Sequence, residues 1–268
     1  MAEGGNAVLE VRNLSFAYKT VPVLEQISFH AEKGRLIAVL GANGAGKSTL
    51  FKCILGLLKT ERGTIFLHGR DIKDLSRKEI ARTAAYIPQA ESPVFNYNVF
   101  DTVLMGTTGS LSPLRSPGKE QIQIAEEAIA FMGVEYLKER GVNEISGGER
   151  QLVLLARAMA QKAQILIMDE PTANLDYGNQ QHVMNHVRMM TENGYTVLLS
   201  THNPEHALQY ATDVLAIKDH RIAAEGKTDE ILNEELIEQL YGLKVKITEA
   251  EVNGRIVRSC IPAIKSGE

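Results

Sequence analysis

Leu36-Ile37-Ala38-Val39-Leu40-Gly41-Ala42-Asn43-Gly44-Ala45-Gly46-Lys47-Ser48 is the stretch that decides the fold. Its first five side chains are all apolar, which suits a strand buried on both faces of a sheet. The next eight residues match G-x-x-x-x-G-K-[ST]. Residues 47–55 then read as a helix that Gly56 stops. Gly41, Gly44 and Gly46 let the backbone turn tightly and approach an anion. The helix that follows points its N–H groups, and roughly half a positive charge, at the same place. In such a loop, Asn43 to Gly46 wrap phosphate with their backbone, Lys47 reaches the outer phosphates and Ser48 offers a hydroxyl to Mg²⁺. Thr49 adds a further phosphate contact. A glycine-rich turn with no ligand is the competing reading, and the flanking strand and helix weigh against it.

Outward from the loop, the chain alternates strands and helices. Upstream, residues 8–18 show every-second-residue patterning that fits one or two short strands, and residues 26–31 fit another. Downstream, 64–67 and 85–87 are short strand candidates, with a helix over 76–84 capped by Ser76 between them. Residues 92–118 hold several prolines and glycines and no long periodic run. Residues 119–132 predict an amphipathic helix with Ile122, Ala125, Ile129 and Met132 on one face. Then helix 147–161, strand 164–168, a helix around 179–191 and strand 195–200 restore the alternation. The tail predicts a helix over 228–241 and strands within 244–261.

This pattern predicts an α/β fold with a mainly parallel sheet, an N-terminal antiparallel β part and an inserted helical subdomain. The expected layout is one domain. Its core covers about 1–89 and 151–225, its helical insertion about 90–150, and a short extension 226–268.

Composition narrows the class. The 268 residues are 44% hydrophobic and 23% charged, which suits a sizeable core. A net charge of -4 lacks the basic footprint of a nucleic-acid binder, so no nucleic acid is expected. Cys53 and Cys260 are far apart and read as reduced thiols. The apolar runs fall well short of the ~20 residues of a membrane helix, and the first residues do not read as a signal peptide.

Two further segments carry chemistry. The apolar run 165–168 ends in Asp169 and Glu170. In a parallel sheet, ligands sit at the carboxyl ends of strands, so these acids come to the edge that holds the loop. Asp169 suits the Mg²⁺ shell, and Glu170 suits a base that polarises an attacking water. Ser146-Gly147-Gly148-Glu149 is a capping box before a helix. It also fits a second phosphate-binding helix N-terminus, with two glycines allowing close approach. The two readings are compatible.

Together, residues 41–48, 145–149 and 169–170 resemble the ATP-binding cassette (ABC) ATPases of membrane transporters, and the resemblance covers nearly the whole chain. It implies ATP and Mg²⁺ as ligands and a P-loop NTPase core. It implies that Tyr18 stacks on adenine, and that Gln89, after Tyr86-Ile87-Pro88, contacts Mg²⁺ and relays to a membrane partner. It implies that Asp176 lies in a loop at a dimer seam, and that His202, after Leu199-Ser200-Thr201, contacts the γ-phosphate. Lys47, Gln89, Glu170 and His202 are thereby the catalytic set. Ser48, Gln89 and Asp169 form the Mg²⁺ set. Ser146, Gly147, Gly148 and Glu149 form a signature that contacts the ATP of a partner chain. Ile145 and Glu149 stand where Leu and Gln are commoner.

The implied partners are a second copy in a head-to-tail homodimer, membrane permease subunits docking near residues 89–103, and indirectly a substrate-binding protein. The implied location is the cytoplasmic side of the cell membrane. Val103-Leu104-Met105-Gly106 resembles a segment of the importers of metal chelates such as siderophores, haem or corrinoids. Thr107 stands where that branch usually has Arg, which leaves a related oxyanion open as substrate. A soluble, non-transport ABC ATPase and the energising subunit of an exporter are the alternatives.

Overall fold

The structure is a computed structural model that describes residues 7–89, 95–110, 116–252 and 254–263. The chain begins with two long antiparallel strands, β1 (Ala7–Tyr18) and β2 (Val21–Glu32). Bulges interrupt their ladder, one at Asn13, whose φ of 45° is left-handed. The pattern at 8–18 is therefore one bulged strand. Next come β3 (Leu36–Leu40), α1 (Lys47–Ile54), β4 (Ile65–Leu67), β5 (Arg70–Asp71), α2 (Arg77–Thr83) and β6 (Ala84–Ile87). Ser76 caps α2 through a full capping box with Glu79, as its sequence predicts.

A short helix, α3 (Val99–Leu104), and a 3₁₀ turn over Met105–Ser110 occupy part of the stretch that shows no periodicity in sequence. Residues 92–94 and 111–115 of that stretch lie outside the described residues. After α4 (Lys119–Phe131) come α5 (Gly147–Ala160), β7 (Ile165–Asp169), α6 (Tyr177–Glu192), β8 (Thr196–Thr201) and α7 (Pro204–Tyr210). The chain closes with β9 (Asp213–Lys218), β10 (Arg221–Lys227), α8 (Thr228–Ile231), α9 (Glu234–Tyr241), β11 (Val245–Val252) and β12 (Arg255–Pro262).

Two expectations change. Ile122 is not on the buried face of α4: it is 40% exposed, and Ala125, Ala128, Ile129 and Met132 do the packing. The single helix expected over 228–241 is two, because Leu232 leaves helical geometry and Asn233 caps a new start by accepting from the Leu236 N–H.

The central sheet runs β10-β9-β3-β8-β7-β6. All neighbours in it are parallel except β10 and β9. β3, β7 and β8 have every residue buried, which explains the apolar runs Leu36–Leu40, Ile165–Met168 and Val197–Leu199. A separate antiparallel sheet runs β2-β1-β4-β5. Between it and the central sheet lies a core built from Leu14, Ile27, Phe51, Ile54 and Ile65 with Ile165 and Ile167. On the other side, α3, α4 and α5 share a second apolar cluster with the sheet, centred on Val103, Ile129, Val153 and Leu166. This arrangement leaves the carboxyl ends of β3 and β7, with the phosphate loop and the acids, on one rim.

Gly106 fixes the seam between α3 and α5. A Cβ there would run into the Arg157 carbonyl and sit 3.2 Å from the Ala160 side chain. Gly106→Ala is expected to lower stability by about 1–3 kcal/mol, read as a lower midpoint in urea, since overpacking against backbone has little room to relax. Thr107 beside it is buried, and its hydroxyl donates to the Leu104 carbonyl, 2.8 Å away.

Candidate active site

The phosphate loop gets its shape from its glycines. Gly46, at the N-cap of α1, has φ 103°, and a Cβ there would meet the Val23 carbonyl at 2.8 Å. A side chain is therefore excluded by conformation and by contact. The loop opens onto a cavity of about 360 Å³. Asn43, Gly44 and the run Gly46, Lys47, Ser48 and Thr49 line one side; Gln89, Asp169 and Glu170 line the other, with Val23 completing the wall. Residues far apart in sequence thus converge on one small polar space.

Lys47 is 5% exposed. Its Nζ donates to the Gly41 carbonyl at 2.8 Å and to the Ala42 carbonyl at 3.2 Å, and lies 3.8 Å from Glu170 Oε1. Burial pulls the Lys47 ammonium below its ordinary pKa, and the charges of Glu170 and Asp169 oppose that pull. A buried cation held only by loop carbonyls and a distant carboxylate is poised to gain from an incoming anion.

Glu170 stands between two basic groups, Lys47 on one side and His202 Nδ1 at 3.3 Å from its Oε2 on the other. Its backbone is left-handed, with φ 46°. That conformation is costly for a residue with a side chain, and such strain concentrates at functional sites. Ser200, fully buried on β8, ties the pair of acids together. Its hydroxyl donates to Asp169 Oδ1 at 2.7 Å and accepts the Glu170 N–H at 2.9 Å. Tyr86 Oη donates to Asp169 Oδ2 at 3.3 Å. Sequence patterning assigns no role to Ser200 or Tyr86, because each stands inside an apolar strand and acts only across the sheet.

The other expected residues lie elsewhere. Tyr18 is exposed at the end of β1, its ring edge-on to Phe16 with centroids 5.0 Å apart, and it does not line the cavity. Nor do Ser146 to Glu149. Ser146 caps α5, and Glu149 completes the capping box by accepting the Ser146 N–H at 2.8 Å. These bonds, with Tyr136 Oη at 2.9 Å, hold the Glu149 carboxyl below its usual range, the Ser146 backbone bond being the strongest cause.

The glycine pair has a reason inside the chain as well. A Cβ on Gly148 would collide with Asn179 Oδ1 and sit 2.9 Å from Asn179 Cβ. Asn179 is held in turn by Asp176, the N-cap of α6, at 2.7 Å between side chains and 2.9 Å from backbone N–H. The signature and the Asp176 loop are therefore packed on each other within one chain. Just beyond, Gln151 is fully buried and neither amide atom is hydrogen-bonded, and nothing among the described residues explains it.

Among the described residues, no group of three or more His, Cys, Asp and Glu side chains could hold a metal ion alone. The donors around the cavity are oxygens: the Ser48 hydroxyl, the Gln89 amide and the Asp169 carboxylate. That set suits a hard cation completed by phosphate oxygens and water, so the residues fit Mg²⁺ brought with a nucleotide.

A glycine-rich loop opening a helix, with an acid pair at the end of a parallel strand one removed in the same sheet, defines a P-loop nucleotide hydrolase. The family described as "ABC transporter" matches residues 24–173. The chain belongs to that family, and it is an ATP-binding ATPase. An uncharacterized ABC transporter ATP-binding protein of Haemophilus influenzae is 35% identical over 252 residues, covering 94% of this chain and 96% of its own. A protein of Helicobacter pylori named a probable iron chelatin transport ATP-binding protein is 38% identical over 87% of this chain and 92% of its own. Among solved structures, an ABC transporter assigned to the metal-chelate type, in an inward-facing conformation, superposes with a TM-score of 0.85 at 30% identity, covering 97% of this chain and 98% of that one.

Proposed function

We propose that this ATPase powers import of a metal chelate, such as a siderophore, haem or corrinoid complex, or of a related oxyanion, through separate membrane subunits. The convergence of Asn43, Gly44, residues 46–49, Gln89, Asp169, Glu170 and His202 on one rim carries the hydrolytic part. The transport part rests on relatives named for iron chelatin and hemin import, at 38% and 37% identity. Relatives named for manganese and zinc transport, each at 35%, keep free divalent metals within the same test.

In this reading Lys47 leaves the loop carbonyls for the outer phosphates. Ser48, Gln89 and Asp169 would hold Mg²⁺, which supplies positive charge against the phosphates. Glu170 takes the proton of the attacking water, and His202, against the same carboxylate, faces the γ-phosphate. Tyr18, away from the phosphates, carries the adenine. A helical subdomain of about 90–150 would present Ser146 to Glu149 to the nucleotide of a second copy. One loop and one signature per chain then make two sites in a head-to-tail homodimer, with Asp176 at the seam.

A groove of about 600 Å³ fits the membrane partner. It lies between Leu57, after α1, the α2 side chains Arg77 and Ile80, Pro88, and the α5 side chains Leu154 and Arg157. Tyr86, Ile87 and Pro88 border it, so it adjoins the docking segment expected at 89–103. Leu57 is 65% exposed there. Leu57→Glu is expected to abolish co-purification with the membrane subunit and leave the ATPase rate of the isolated chain within about twofold, as surface substitutions usually do.

No helix among the described residues is long and apolar enough to cross a membrane, so docking at the cytoplasmic face would be peripheral. The deciding experiment is reconstitution with the membrane and binding proteins of neighbouring genes in vesicles. ATP-dependent uptake of a ferric chelate, haem, corrinoid, oxyanion or free metal supports the reading. A complex that hydrolyses ATP and takes up none of them overturns it.

A further inference from the structure

Helix α6 carries two histidines that have no part in the nucleotide cavity. His182 and His186 stand four residues apart, so their side chains share one face of the helix, one turn from each other. His182 is exposed and His186 is half-buried. Their ring centroids are 4.6 Å apart, and the ring planes are tilted by 55°.

Two features prepare these rings to hold a metal ion. The first is a hydrogen bond: His186 Nδ1 lies 2.9 Å from the His182 carbonyl oxygen. A carbonyl only accepts, so Nδ1 carries the proton and Nε2 keeps a free lone pair. Metal-bound histidines usually make this same outer contact, which fixes tautomer and ring orientation. The second is spacing. With metal–nitrogen bonds of about 2.1 Å, two imidazoles on one ion have centroids about 4.6 Å apart at a right angle and about 5.3 Å apart at the tetrahedral angle. The observed 4.6 Å therefore needs little movement. Burial, and then the charge of His186, hold His182 below its ordinary pKa, which keeps it in the neutral form that ligates metal.

We propose that His182 and His186 form a site for a divalent transition metal that prefers imidazole, such as Ni²⁺, Cu²⁺ or Zn²⁺, with water in its remaining positions. Mg²⁺, which takes oxygen donors, does not suit it. Two protein donors hold an ion more weakly than the three or four of a resident metal centre, so the ion exchanges with the surroundings. Bound metal staples the turn 182–186 of α6. Asp176, the cap of the same helix, holds the Asn179 side chain at 2.7 Å, against Gly148. The staple therefore lies about one turn from the contact that packs the signature on α6.

The test is calorimetric titration of the full, tag-free chain, stripped by chelator and without nucleotide, with NiCl₂, ZnCl₂ and MgCl₂ in turn, beside melting curves. The expected result is saturable binding of one Ni²⁺ or Zn²⁺ per chain, a melting temperature raised by either ion, and no heat from Mg²⁺. His182→Gln and His186→Gln, which keep a good helix former on the surface, should each weaken binding at least tenfold, the scale that loss of even an outer partner of a metal ligand costs. Both variants should lose the metal-dependent rise in melting temperature. His202→Gln tests for an ion captured beside Glu170 instead, and should keep native Ni²⁺ affinity. A native chain with no saturable Ni²⁺ or Zn²⁺ binding overturns the proposal. So does native affinity in either the His182 or the His186 variant, or loss of binding in His202→Gln. None of these outcomes touches the reading of the nucleotide site.

Discussion

Glu170→Gln is expected to keep ATP binding and lower kcat by about 10²–10⁴-fold, the usual contribution of a positioned general base. The substitution is isosteric, so the left-handed backbone at φ 46° and the bond from its N–H to Ser200 stay in place. What disappears is the proton acceptor between Lys47 and His202. The nucleotide should therefore be held and not turned over. In a head-to-tail dimer closed by ATP, that variant should run as a stable dimer on a sizing column with ATP and as a monomer without it. A Glu170→Gln chain that hydrolyses at the native rate and stays monomeric with ATP would show that another group takes the proton.

Lys47→Ala should act earlier in the cycle. It removes the ammonium that the cavity would present to the outer phosphates, a charge-assisted contact whose loss weakens binding by about 10- to 150-fold. Hydrolysis should fall with it, because charge stabilisation carries most of phosphoryl transfer. Stability should hardly suffer. Burial lowers the Lys47 pKa in the folded chain, so at pH below that value the charged ammonium opposes folding, and alanine removes the penalty together with the two carbonyl bonds. The check is calorimetric titration with ATP beside a melting curve. Weak binding with a near-native melting temperature is the expected pair; native affinity would remove Lys47 from the site.

The loop and the strand before it were legible because their signals are local. Five apolar residues, then fixed glycines, then Lys47 and Ser48, can mean little else when a helix follows. The acids at 169 and 170 were legible for the same reason, as the polar end of an apolar run. Helix α3 was not, since six residues give less than two turns of periodicity and its start depends on Asn98 accepting the Asp101 N–H. Ile122 misled because a helix face is buried only where another element covers it. The break at Leu232 and Asn233 hid inside a run whose apolar spacing continues across it. Ser200 and Tyr86 act over sheet neighbours, and no spacing rule reaches that distance. The reason for Gly148 is a contact with Asn179, thirty-one residues on.

One element joins the two surfaces that the proposed function assigns to other molecules. α5 begins at the Ser146 cap and ends where Arg157, Ala158 and Gln161 border the groove. Its fourteen residues make a rod about 21 Å long. Val153, Leu155 and Ala156 are sealed in the core along its length, and the Gln161 side chain is bonded to the Ala81 carbonyl of α2. A rod clamped in its middle transmits a push from end to end without storing it. If the proposed membrane partner seats in the groove, it would also aim the Ser146 tip, and mechanical work at one face and chemistry at the other would be read through a single shaft.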